Sequence, residues 1–178
     1  MARAAAVAFA VALTAADSQF TVPVPFTAVP FTLTPRVVLL VGAALGSRLG
    51  AAAQIAYLML GVAGLPVFAP SLILPPGAAR LLGPTGGYLL AYPAAAFVTG
   101  FLAERGWDRS FPSSFAAMLA GLVVIYAGGL ASVLVYAGSF QAAVFQAVVP
   151  FIPADIVKAV MAAMLLPTAW RFLSAPKS

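Results

Sequence analysis

The chain has no cysteine and no histidine among its 178 residues. That removes disulfides, thiolate nucleophiles, imidazole bases and the usual ligands of zinc and haem, so no metal site is expected. Charge is scarce as well: 7% of residues are charged, against about a quarter in a soluble domain. The acids number four, Asp17, Glu104, Asp108 and Asp155, and two of them share a cluster with Arg105 and Arg109. Paired-carboxylate catalysis has no natural seat here, and the sequence is not read as an enzyme. With 63% hydrophobic residues and no polar tail, the chain lacks the surface that keeps a soluble globule dispersed. It reads as an integral membrane protein. The net charge of +5 is carried by scattered residues instead of a basic stripe, which argues for the lipid bilayer and against nucleic acid as a partner.

What is present is a series of apolar runs divided by proline, glycine and charge. A helix needs about 20 residues to cross the hydrocarbon, and the punctuation predicts an all-α protein of six transmembrane helices in a single domain, residues 1–178. The spans are expected at 4–16, 34–48, 49–64, 84–104 and 111–137, with the sixth at 154–172. The stretch 139–149 is a short helix or the bent start of that sixth span, broken at Pro150 and Pro153. A proline-rich connection at 20–31 contains Pro23, Pro25 and Pro30 and predicts an ordered extended loop. Residues 65–83, with Pro66, Pro70, Pro75, Pro76 and the lone Arg80, predict a lid or partly re-entrant loop. Arg3 followed by an apolar run and Thr14-Ala15-Ala16 also fits a cleavable secretory signal, a competing reading that would leave five spans. No internal repeat is apparent.

Alternate connections differ in charge. Arg3, Arg48, Arg105, Arg109, Arg171 and Lys177 fall on one side, which is expected to be cytoplasmic, to carry both termini and to have Trp107 and Trp170 in its aromatic belt. Arg36, Arg80 and Lys158 fall toward the other side, where orientation does not explain them. They become functional candidates together with Asp155. Residues 150–158 place Asp155 and Lys158 three apart, on one face of a helix that opens at Pro153. Ionisable groups at membrane depth usually face a partner, a cavity or a ligand. A structural ion pair that merely neutralises both charges is the alternative.

Three segments together resemble the BioY family, the biotin-specific substrate-binding S-components of energy-coupling factor (ECF) transporters. The first is Val29-Pro30-Phe31-Thr32-Leu33-Thr34 with the run to Gly46-Ser47-Arg48-Leu49-Gly50. The second is Gly61-Val62-Ala63-Gly64-Leu65-Pro66-Val67-Phe68-Ala69 leading to Leu82-Gly83-Pro84-Thr85-Gly86-Gly87-Tyr88-Leu89, and the third is 150–158. The resemblance implies six membrane helices, both termini in the cytoplasm of a cell (inner) membrane protein, and biotin captured on the extracellular side. It also implies a transmembrane coupling protein and a pair of cytoplasmic ATPases as partners. No G-x-x-x-x-G-K-[ST] pattern occurs in the chain, so no cofactor is expected and ATP belongs to those partners.

On this reading Asp155 accepts from the ureido N–H groups of biotin and Lys158 donates to its carbonyl. Arg80 pairs with a carboxylate or holds the ureido oxygen. Tyr88, Phe31 and Phe68 pack on the sulfur ring, and Gly86 with Gly87 permits close approach of helices or ligand. Ser71 stands where the family often carries a polar amide, a departure from the pattern. Thr34 and Gln54 are lesser polar candidates. Ala4, Ala8 and Ala12 form a small-residue ladder on the first span that implies docking on the coupling protein, with Gly42, Gly46 and Gly50 as a rival packing face. Alternatives are an S-component for another vitamin, an intramembrane enzyme using Asp155 and Lys158 as acid and base, and a membrane scaffold in which the pair is structural.

Overall fold

Lipid offers backbone groups no hydrogen-bond partner, so an apolar chain satisfies them inside helices. The computed structural model describes residues 1–173 apart from Pro23, Pro25, Phe26, Ala28, Leu72 and Ile73, with side chains as far as Pro167. Trp170, Arg171 and Lys177 as side chains therefore lie outside the described residues, as do two of the prolines expected to order the first connection. Among the described residues there are six α-helices: α1 (Ala2–Ser18), α2 (Thr34–Val62), α3 (Gly86–Leu102), α4 (Phe111–Ala137), α5 (Phe140–Ala147) and α6 (Ile152–Leu173). Thr34–Val62, Gly86–Trp107 and Phe111–Ala137 are long and apolar enough to cross a membrane. The pair Phe140–Ala147 and Ile152–Pro167, bent by 45°, makes a fourth.

The 29-residue α2 is a hairpin of two helices. Gly46 has φ 82° and ψ 174°, a left-handed φ that glycine adopts without steric cost. A Cβ placed on Gly50 would lie 2.8 Å from the Cα of Gly42, whereas eight residues along one continuous helix are about 12 Å apart. The arms 34–45 and 47–62 therefore run side by side in opposite directions. With α2 counted as two arms and α5–α6 as one bent run, the described residues form the six helical runs that the sequence predicts, with the second break at Gly46 where Arg48 was expected. The same geometry corrects the reading of Gly42, Gly46 and Gly50 as one packing face: the middle glycine is the turn, and the outer two meet across it. Glu104, from the π-helical turn Ala103–Trp107 after α3, closes the hairpin by accepting from Ser47 N–H at 2.8 Å and Ser47 Oγ at 3.0 Å. Its negative charge suits the start of the 47–62 arm.

Small residues bring the helices together. Gly42 lies against Ala96 O of α3, and Gly87 of α3 lies against Gly128 O of α4, where an added Cβ would be 2.3 Å and 1.9 Å away. In lipid, where no hydrophobic force drives helices together, such close approach supplies the association. Around it pack Val38, Leu39, Tyr57, Met118 and Ile125, all essentially inaccessible.

The two ends of the bundle differ. One carries the Ser47–Glu104 closure, with Arg48, Arg105 and Arg109 nearby in sequence and Arg3 at the corresponding end of α1. At the other end Arg36 meets Asp17 at 3.9 Å, Ser18 meets Val67, and Tyr136 meets Leu82. The connections 19–33, 63–85 and 138–151 gather there. The first begins and ends in a two-residue antiparallel ribbon, β1 (Thr21–Val22) with β2 (Phe31–Thr32), in which Thr21 faces Thr32. The second holds a 3₁₀ turn, Ala78–Leu82, that carries Arg80.

Candidate functional site

A cavity of about 700 Å³ opens among these three connections. Its wall takes Asp155 and Lys158 from α6, Tyr126 from α4, Tyr88 and Tyr92 from α3, Phe68 and Ser71 from the 63–85 connection, and Arg80 from the 3₁₀ turn. Asp155 is where it is because Pro150 and Pro153 force a break and a restart of the helix, which leaves the acid in the first turn of α6. Lys158, one turn on, shares its face. Lys158 Nζ is 2.6 Å from Asp155 Oδ1, and Tyr126 Oη donates to Oδ2 at 2.5 Å. A further Lys158 bond reaches Thr32 O at 2.7 Å, and the ammonium stands 3.8 Å from the centre of the Phe31 ring. Phe31 in turn stacks on Phe151 with ring centres 6.4 Å apart. Each carboxylate oxygen keeps a free lone pair, so the pair can accept from a ligand while remaining neutral as a unit.

Arg80 is also buried, and its environment is unlike that of Lys158. Its Nη2 donates to Ala69 O at 2.5 Å, its Nε has no hydrogen-bond partner, and no carboxylate among the described residues pairs with it. Burial pulls its pKa below the ordinary arginine value, a cost that an anion beside it would offset. With Asp155 and Lys158 cancelling, the wall carries one uncompensated positive charge. The site is built for a ligand with a negative group at one point and paired donors and acceptors at another.

Below the ion pair the bundle holds a chamber of only about 10 Å³, bordered by Arg36, Leu39, Met118 and Leu122. That is room for about one water. The cavity on the connection side has room for a ligand of vitamin size, and the chamber below the pair does not.

The BioY family model matches residues 1–175. The chain belongs to the BioY family. The biotin transporter BioY of Thermotoga maritima is 40% identical over 144 residues, covering 81% of this chain and 82% of the relative. The probable biotin transporter BioY of Pyrococcus horikoshii is 41% identical over 159 residues, 89% and 90% of the two chains. The crystal structure of the S-component for biotin from an ECF-type ABC transporter superposes with a TM-score of 0.83 at 25% identity, over 95% of this chain and 90% of that one. BioY proteins are transporter components, not enzymes, which removes the acid–base catalyst from consideration.

Within this BioY chain the residues singled out in the sequence separate into groups. Asp155, Lys158, Arg80, Tyr88, Phe68 and Ser71 share the cavity. The Tyr88 hydroxyl gives its proton to Ala147 O at 2.5 Å, which leaves the ring and the oxygen's lone pairs, and Ser71 Oγ accepts from Leu74 N–H. Phe31 lies behind Lys158, outside the cavity lining. Gly86 is pressed against Leu81 O and Gly87 against α4, so both glycines serve chain packing. Gln54 donates to Thr14 Oγ1 in the α1–α2 contact, and Thr34 is buried outside the lining. Ala4, Ala8 and Ala12 are exposed on α1. Tyr126, Tyr92 and Phe151 were not picked out by sequence reasoning. For Tyr126 a signal existed: a phenol in the middle of the 27-residue apolar α4 needs a partner for its hydroxyl.

Proposed function

We propose that this chain is the biotin-binding S-component of an ECF transporter, a membrane protein that captures biotin from the extracellular side. The observation that carries the reading is the cavity wall, where a neutral Asp155–Lys158 pair stands with an uncompensated Arg80. Biotin presents two ureido N–H donors with a carbonyl acceptor, an apolar sulfur ring, and a carboxylate tail. Asp155 takes the N–H donors, Lys158 gives to the carbonyl, Tyr88 and Phe68 cover the ring, and Arg80 answers the tail. The volume of about 700 Å³ suits a small-molecule site, for which roughly 300–1,000 Å³ is usual.

The arginine-rich end of the bundle, with Arg3, Arg48, Arg105 and Arg109, supports cytoplasmic termini by the positive-inside tendency. The cavity then faces outward. With a water-sized chamber beneath the pair, onward movement of biotin needs a rearrangement, and the energy for it comes from a transmembrane coupling protein and two ATPases. The exposed Ala4, Ala8 and Ala12 supply a face flat enough for the coupling protein. The whole of residues 1–178 acts as one membrane domain.

Titration of biotin into the detergent-solubilised chain, freed of co-purified biotin and monitored by calorimetry, is expected to give saturable one-to-one binding. No heat from folded protein would overturn the reading, and heat with a different vitamin alone would redirect it. Tyr126→Phe removes a bond to the Asp155 carboxylate without altering the ring. A loss of about 1 kcal/mol, roughly fivefold in affinity, is expected in the same titration. An unchanged affinity would leave the Tyr126 hydroxyl with a packing role only.

A further inference from the structure

The segment 65–69 leads to the cavity wall at Phe68 and Ala69 and makes one internal backbone bond, Val67 N–H to Leu65 O at 2.8 Å. Its carbonyls at Pro66, Val67 and Phe68 are met by side chains from elsewhere. Ser18 Oγ donates to Val67 O at 2.5 Å, Gln19 Nε2 lies 3.2 Å from Pro66 O and 3.4 Å from Phe68 O, and Tyr57 Oη reaches Val67 O at 3.1 Å. Ser18 and Gln19 stand at the end of α1 and do not line the cavity, whereas the ring of Phe68 does. That ring meets Tyr57 edge-on with centres 5.4 Å apart. The end of α1 thus holds the backbone of a segment whose side chain closes the site.

The donors on α1 are not committed to that segment. Ser18 Oγ is also 2.8 Å from Ala15 O, and Gln19 Nε2 is 3.2 Å from the same oxygen. A hydroxyl has one proton and a primary amide two, so these bonds cannot all form together. If the segment lifts, both donors stay satisfied on their own helix. The cost of opening then falls on the Tyr57 bond to Val67 O, the Arg80 bond to Ala69 O and the buried Phe68 ring.

We propose that Ser18 and Gln19 form a latch that ties the Val67 segment to α1 and sets how long a ligand stays in the cavity. They are positioning residues. The inference rests on the cavity being the biotin site.

Release of labelled biotin into an excess of unlabelled biotin reads the latch directly. Ser18→Ala with Gln19→Ala is expected to release biotin at least about tenfold faster, the factor that 1.4 kcal/mol represents, and Ser18→Thr with Gln19 intact is expected to retain slow release. A double-variant rate within twofold of the parent overturns the proposal. Hydrogen exchange at the amides of 67–69 in ligand-free protein separates the two readings. Exchange unchanged by the Ser18→Ala/Gln19→Ala pair overturns the latch whatever the ligand. Faster exchange in a chain that binds no biotin supports the latch and sinks the biotin assignment.

Discussion

Lys158→Ala is expected to weaken biotin binding about tenfold to a hundredfold. The ureido carbonyl loses a charge-assisted donor, worth about 1.5–3 kcal/mol, which is one to two decades in affinity. Asp155, left as a buried carboxylate held by Tyr126, lowers the stability of the ligand-free and the ligand-bound protein alike. Asp155→Asn keeps the shape but leaves the Lys158 ammonium without its counter-charge at 2.6 Å and gives the ureido N–H groups a weaker acceptor. A loss of at least about tenfold, near 1.5 kcal/mol, is expected there. The joint change Asp155→Leu/Lys158→Met separates ligand recognition from structure. An apolar replacement of a buried pair is often neutral or stabilising, so the ligand-free double variant should melt no lower than the parent while binding no biotin. Calorimetry and thermal unfolding in detergent check the set. Affinities within threefold of the parent in both single variants would assign the pair a structural role, as in a scaffold.

Gly87→Leu is expected to be the most damaging change away from the cavity. A Cβ at this position would sit 1.9 Å from Gly128 O and 2.7 Å from Ser132 Oγ. The first obstacle is backbone, so α3 and α4 have to separate. Ser132 Oγ also donates to Pro84 O at 2.8 Å, so separation loosens the connection that carries Arg80 as well. Overpacking costs about 1–3 kcal/mol and sometimes more, and in lipid the lost close packing is itself what joins the helices. A fall in melting temperature of roughly 10 °C follows from about 3 kcal/mol in a chain of this size. Leu90→Ala, on the exposed face of the same helix, serves as the comparison and should shift it by no more than about 2 °C. Equal shifts for the two variants would show that the Gly87–Gly128 contact is not limiting for stability.

Much of the architecture was legible because the bilayer imposes it. Apolar runs with proline and glycine between them gave the passes, and the excess of arginine at alternate connections separated the two ends. The hairpin in α2 shows where that reading is imprecise. The apolar run is interrupted in 45–50 by Ser47 and Arg48, so charge at Arg48 suggested the break, while the turn needs the left-handed φ that Gly46 provides. Asp155, Lys158 and Arg80 were legible as charges that orientation did not require. Phe31 and Gly86 were placed in the site by resemblance, yet Phe31 stands behind Lys158 and Gly86 packs on Leu81.

The sequence by itself determined that this is a membrane protein of six passes with an acid and a base on one turn of the last helix, because composition, periodicity and proline positions are local properties. Only the tertiary structure decided that Tyr126, 29 residues before Asp155, holds its second oxygen, that Arg80 pairs with no carboxylate among the described residues, and that the end of α1 holds Val67, 49 residues away from Ser18. Those facts depend on which helix ends meet, and small residues such as Gly42, Gly87 and Gly128 set that through contacts no single segment contains.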